Sequence, residues 1–321
     1  MFLTVDQIKS VAFGTVDIRE EERGLWFMKC TDAQIAESLI RSPQHGVHSK
    51  AASGARLDFY TDSELLSFDA EGDLRYEVMV DNLFVGQYNV NEYRERGEKI
   101  VVELPKGEKR VTLIFPNFGT GAWLKYVELS DGAYIKAHEY KRKIYFYGDS
   151  ITQGYNGKHS FMTFTHSISR RYDADILVNG VGGWFFNPKY VDPSIDFDPE
   201  AVIIACGTND WNRFQSPEEM REYCKGCLDG LGAQFPKAKF FVISPLWRRD
   251  TETDRAMGSF ELACNIVKEE AVAHGFNLID GFTLVPHIPE FFGDERLHPN
   301  DIGFAVYSER LCAVLDKFLL A

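Results

Sequence analysis

The sequence predicts an α/β protein in two parts: an antiparallel β-sandwich over residues 1–140, then a parallel, doubly wound α/β domain over residues 141–321. Three observations point there. In the first part short alternating segments recur with turn residues between them, several about ten residues apart, the rhythm of antiparallel strands. From Lys143 onward near-continuous apolar segments alternate with helical patterns, which is βαβ order and hence a parallel sheet covered on both faces. The chain has 321 residues, 45% hydrophobic and 14% aromatic, enough for one large core or two ordinary ones.

In the first part the expected strands are Ala55–Tyr60, Asp73–Val80, Lys99–Leu104, Lys109–Phe115 and Ala122–Leu129. Thr61-Asp62-Ser63, Glu71-Gly72-Asp73, Pro105-Lys106-Gly107 and Asn117-Phe118-Gly119 supply the turns between them. One helix is expected, over Asp32–Ile40. In the second part the expected strands are Lys143–Tyr147, Asp175–Val178, Ala201–Ala205, Lys239–Ile243 and Asn277–Asp280. Helices are expected over Phe161–Tyr172, Pro217–Gln234, Gly258–His274 and Ile302–Leu320. In such a sheet reactive groups gather beyond the carboxyl ends of the strands.

Composition excludes several classes. Lys plus Arg total 35 and Asp plus Glu total 48, a formal net charge of −13. An acidic chain without a Lys/Arg-rich run is a poor partner for nucleic acid or anionic membrane. No stretch approaches the roughly 18 apolar residues of a membrane span. Met1 to Ile18 lacks the basic start and apolar run of a signal peptide, so a cytoplasmic location is expected. The six cysteines are scattered; Cys224 and Cys227 form C-x-x-C inside a helical pattern with no second pair to complete a zinc site. Reduced cysteines packed as small hydrophobes are the expectation.

The centre of the sequence is Ile144–Gly154, Ile-Tyr-Phe-Tyr-Gly-Asp-Ser-Ile-Thr-Gln-Gly. A buried strand ends at Gly148, and Asp149 and Ser150 stand at the turn into a helix. A hydroxyl there lies beside free backbone N–H groups and the positive end of a helix dipole, which suits a nucleophile and an anion. By itself the turn also reads as a plain βα loop with Ser150 as helix N-cap and Asp149 bracing it.

Three more loops change that balance. Asn179-Gly180-Val181-Gly182-Gly183-Trp184 follows the second strand, and Gly207-Thr208-Asn209-Asp210-Trp211 the third. Asp294-Glu295-Arg296-Leu297-His298-Pro299 precedes the last helix. Ester cleavage through a serine needs a nucleophile, a base, a group that orients the base, and donors for the oxyanion. Ser150, His298 and a carboxylate just upstream of His298 could supply the first three, with the Gly183 N–H and the Asn209 amide as donors. The glycine run is no dinucleotide fingerprint, because Phe185 occupies the third glycine's place.

Gly-Asp-Ser, Gly183, Gly-Thr-Asn-Asp and the C-terminal His-Pro, in this order, resemble the four marker blocks of the SGNH (GDSL) hydrolase superfamily over residues 143–321. The resemblance implies a flavodoxin-like three-layer α/β/α domain, Ser150 as nucleophile and His298 as general base. It also implies an oxyanion hole made by the Ser150 N–H, the Gly183 N–H and the Asn209 side chain, and no metal or organic cofactor. The family usually has Asp three residues before the histidine. Here Glu295 stands there and Asp294 one earlier; register favours Glu295, a shifted turn would present Asp294, and a Ser–His dyad would need neither. A jelly-roll-like N-terminal sandwich fused to such a domain resembles bacterial carbohydrate esterases. The substrate implied is a small ester, an acetylated oligosaccharide in particular. The alternatives are a lipid- or thioester-directed acylhydrolase and a carbohydrate-binding protein with a weak site. Trp184, Trp211 and Trp247 just after strand ends suit sugar stacking or loop packing. Arg248 suits a substrate oxygen or a partner among Asp250 and Asp210. The remaining histidines, His45 and His48 among them, read as structural or surface residues. A homo-oligomer is compatible with the sequence.

Overall fold

A computed structural model describes residues 1–72 and 75–320. Two antiparallel sheets, of six and five strands, form the N-terminal part. One runs Ala12–Phe13, Arg56–Thr61, Lys109–Ile114, Arg75–Val80, Leu83–Asn89, with Lys136–Ala137 also on Arg56–Thr61. The other runs Asp17–Glu21, Gly24–Met28, Trp123–Leu129, Leu65–Glu71, Ile100–Glu103. Alternation turns one face of each sheet inward. Leu57, Phe59, Val78 and Leu113 from the first meet Phe27, Leu66, Phe68 and Leu124 from the second in a single apolar cluster. The expected strand Asp73–Val80 is seen from Arg75; Asp73 and Leu74 lie outside the described residues. The expected helix is present as Asp32–Arg41, started by a capping box of Thr31 with Gln34.

The second part is a five-stranded, all-parallel sheet in chain order 2-1-3-4-5: Ala174–Gly180, Arg142–Gly148, Ala201–Ala205, Lys239–Ile243, Asn277–Ile279. This is the flavodoxin-like strand order, with its switch point at the first strand. Successive side chains of the first strand go to opposite faces. Tyr145 and Tyr147 join Leu177, Val202 and Ile204 under helices Pro217–Gln234 and Phe260–Ala273. Ile144 and Phe146 join Ile176, Val178 and Ile203 under helices Phe164–Tyr172 and Asp301–Leu319. The result is three layers, each helix pair burying an apolar stripe. The N-terminal part reaches into the first of these cores through Trp26, Met28, Cys30 and Ile35. All six cysteines are free and buried, Cys224 and Cys227 on their helix facing that core.

Register decides where the loops emerge. Gly148 pairs with Gly180 on one side and with Ala205 on the other. These three adjacent strands therefore end level, and the segments that follow them leave the sheet side by side.

Candidate active site

Ser150 is the first residue of the short helix Ser150–Gln153, and it is buried. The helix N-cap is Asp149, whose carboxylate accepts from the Ile151 N–H at 2.9 Å. The serine hydroxyl is thus released from capping. Gly148 has to be glycine: a Cβ there would stand 2.1 Å from Thr152 Oγ1 and 2.6 Å from the Ala205 carbonyl. Burial pushes the Asp149 carboxyl up to about 6, against the hydrogen bond from Ile151, which lowers it.

Ser150 Oγ lies 2.9 Å from His298 Nε2. On the other side of the ring, His298 Nδ1 lies 2.7 Å from Asp294 Oδ2. A carboxylate can only accept, so Nδ1 carries the proton and Nε2 is free to accept from the hydroxyl. Asp294 Oδ1 accepts from the backbone N–H groups of Arg296, Leu297 and His298 at 3.1, 2.8 and 3.0 Å. Burial works to raise the Asp294 carboxyl, but the bonds from His298 and from the Leu297 and His298 N–H groups outweigh it and hold it far below the usual range.

The register expectation of Glu295 beside His298 is corrected here. Glu295 takes a left-handed backbone, φ 55°, and its side chain is exposed. That turn adds one residue between acid and histidine and sends Glu295 away from the ring. Only the shorter Asp294 side chain folds back over the turn it caps.

The second block supplies Gly183 in a left-handed conformation, φ 77°. Among the described residues no protein acceptor takes the N–H of Ser150 or of Gly183. Asn209 uses one amide hydrogen on the Trp184 carbonyl, 2.8 Å away, and keeps the other. Ser150, Gly183, Asn209 and His298 line one cavity of about 320 Å³. Its rim carries Arg248, Arg255 and Arg296 around Asp250. Arg248 is buried and committed: it grips Asp250 at 2.6 and 2.8 Å and donates to the Thr208 carbonyl at 3.2 Å. Its carboxylate partner is therefore Asp250, not Asp210.

Of the two readings of the tryptophans, packing is the one the structure shows for Trp184 and Trp211. Trp184 and Trp211 are fully buried, their indole N–H groups donating to Tyr147 Oη and the Gly258 carbonyl. Packing in the sheet-helix core consumed them, so neither offers a ring face to a ligand. Trp247 stacks on His287 and abuts Phe292 away from this cavity. The aromatic that does line it is Tyr155, 4.7 Å from the His298 ring. Gln44 and His48 also line it, reaching in from the N-terminal part on helix Pro43–Lys50. No spacing rule marks these residues in the sequence, because they meet the site only through packing between the two parts.

A serine, a histidine and a carboxylate in line at the carboxyl-end loops of a parallel α/β sheet are the parts of a carboxylic ester hydrolase. Residues 146–306 match the model of the GDSL-like Lipase/Acylhydrolase family, and the chain belongs to that family. No curated protein matches by sequence. Among solved structures, a salicylyl-acyltransferase from a tetracycline biosynthetic pathway aligns over 97% of this chain and 96% of its own, at 17% identity and TM-score 0.79. An acetyl xylan esterase from the rumen bacterium Butyrivibrio proteoclasticus aligns over 99% and 98%, at 14% identity and TM-score 0.65. A family two carbohydrate esterase from Clostridium thermocellum, in complex with cellohexaose, aligns over 84% and 94%, at 18% identity and TM-score 0.62. At these identities the likeness is one of fold. It extends through the N-terminal antiparallel sheets as well as the parallel one. Among the described residues no helix is long and apolar enough to cross a membrane.

Proposed function

We propose that this protein is a serine esterase that removes small acyl groups, acetyl foremost, from carbohydrate esters. Residues 1–140 would form a sandwich domain and 141–321 the catalytic domain. Ser150 Oγ attacks the ester carbonyl as His298 Nε2 takes its proton. Asp294 holds the ring and stabilises the imidazolium. Negative charge on the former carbonyl oxygen meets the N–H groups of Ser150 and Gly183 and the free amide hydrogen of Asn209. His298 then protonates the departing alcohol, and water, deprotonated by the same ring, releases the acid from Ser150.

The observation that carries this reading is the continuous chain Ser150–His298–Asp294, with contacts of 2.9 and 2.7 Å. The cavity at Ser150, about 320 Å³, has room for a small acyl group, and one of about 590 Å³ adjoins it through Gly183, Asn209 and Asn212, where a sugar ring could sit. The sugar substrate draws on the folds of the two esterases above. A cytoplasmic site of action accords with six free, buried cysteines. Hydrolysis of nitrophenyl acetate and of a panel of acetylated oligosaccharides tests the proposal, with Ser150→Ala as control. Turnover should favour acetate over longer acyl chains and vanish in the variant. Equal turnover by Ser150→Ala sinks the serine mechanism; rates rising with chain length sink the sugar-acetate reading.

A further inference from the structure

Gly182 is held by both parts of the chain, at its N–H and at its carbonyl, and the carbonyl belongs to the peptide bond it shares with Gly183. The Gly182 N–H donates to Gln153 Oε1 at 2.7 Å. The Gly182 carbonyl oxygen lies 3.1 Å from His48 Nδ1. That carbonyl and the Gly183 N–H belong to one rigid plane and point in opposite directions. Whatever fixes the carbonyl therefore aims the N–H.

From this geometry we propose that His48, contributed by the N-terminal part, is a positioning residue for the oxyanion hole: its Nδ1–H grips the Gly182 carbonyl and thereby fixes and polarises the Gly183 N–H. The inference rests on the serine mechanism proposed above. A carbonyl can only accept, so His48 must carry its proton on Nδ1. Its Nε2 then accepts from Gln44 Nε2, 3.4 Å away. Burial, and less so the nearby Lys29 ammonium, lower the His48 pKa, while the bond to Gly182 opposes them. The ring is held neutral, with its single N–H on the required side. Hydrogen bonds in series strengthen one another, so the donor facing the cavity is the stronger for the bond behind it.

Two neighbours show that the contact is built. Gly182 leaves no room for a side chain, since a Cβ would stand 2.0 Å from His48 Nδ1. Two residues before Gly182, the Gly180 carbonyl accepts from the buried Lys29 Nζ at 2.5 Å. The N-terminal part thus holds two carbonyls of the one loop that supplies the Gly183 donor. This gives the N-terminal part a role in the chemistry beyond lining the cavity.

The full-length protein tests this with nitrophenyl acetate and four variants, folding being followed by melting temperature. His48→Ala should lower kcat about tenfold, less than the ~10²–10³ for deleting an oxyanion donor outright, and leave KM near wild type because the charge develops only in the transition state. Asn carries its Nδ2 where histidine has Nδ1, so His48→Asn should recover most of the loss. His48→Gln puts its amide one bond further out and should not. Wild-type kcat in His48→Ala overturns the proposal, as does rescue by Gln equal to rescue by Asn, or a loss confined to KM. Should His48→Ala fail to fold, the Asn and Gln pair still decides. Ser150→Ala separates the two readings: if it is inactive while His48→Ala is wild type, only the His48 role falls, and if it is fully active both fall.

Discussion

Asp294 and His298 face each other across a turn that Asp294 itself caps. Oδ2 sits 2.7 Å from the ring Nδ1, and Oδ1 holds the N–H groups of the three residues up to and including His298. One side chain both shapes the loop and holds the ring that the proposed mechanism uses as its base. Asp294→Asn keeps an oxygen for the turn but places an amide opposite Nδ1–H, which favours the wrong tautomer. With nitrophenyl acetate kcat should fall about 100-fold or more, as expected when the orienting carboxylate of a triad is neutralised. Glu295→Gln, altering an exposed group, should stay within about twofold of wild type. A larger loss in Glu295→Gln than in Asp294→Asn would reverse the assignment.

The same pair shows what a sequence can and cannot convey. The parallel half was legible because its strands are continuous apolar runs, and two of them, Ala201–Ala205 and Lys239–Ile243, coincide with expectation to the residue. Ser150, His298, Gly183 and Asn209 could be singled out because each loop follows or precedes a clear element, and the structure brings all four to one cavity. The acid was not, since its identity depends on Glu295 adopting a left-handed backbone that no composition rule signals. In the N-terminal half, Gly24–Met28 is apolar throughout and lacks alternation, and Leu83–Asn89 is interrupted by Gly86, so both strands escaped notice. Helix Pro43–Lys50 carries an internal Gly46, which weakens its helical pattern and left His48 reading as a structural or surface residue.

Trp211 offers a direct check on the packing role of the aromatics. Its ring is fully buried against Phe260, and its N–H satisfies the Gly258 carbonyl at 2.8 Å. Trp211→Phe should cost about 1–3 kcal/mol in stability by leaving that carbonyl unpaired. KM for an acetylated oligosaccharide should stay near wild type. A raised KM with unchanged melting temperature would return Trp211 to the substrate.

Gly148 has a comparable constraint beside Ser150, the proposed nucleophile. The Ala205 carbonyl that a Cβ would strike, 2.6 Å away, belongs to the adjacent strand and cannot move without breaking the register. Gly148→Ala should destabilise the fold by about 1–3 kcal/mol, the usual cost of overpacking. It should also depress kcat, because Ser150 hangs on the displaced turn. Denaturant unfolding and turnover measured together check both; an alanine variant as stable as wild type would show that the turn has slack.

Asp210 makes stability depend on pH. Its side chain is fully buried; Oδ1 accepts from the Phe186 N–H at 2.9 Å, while Oδ2 has no partner among the described residues. Burial first, with the nearby Asp149 charge adding to it against the Phe186 bond, pushes its carboxyl up to about 7. An unfolded aspartate titrates near about 4. The folded state therefore binds the proton more tightly, and Asp210 adds stability that is complete below about pH 4 and is lost as pH rises through about 7. Asp210→Asn is uncharged throughout and escapes that loss. The melting temperature of wild type minus that of Asp210→Asn should shrink between pH 4 and 8, most of the change falling before the upper end. A difference that stays constant across this window would mean that the buried carboxyl does not titrate there. A difference that grows would mean that the folded state favours the carboxylate, and Oδ2 would then need a donor.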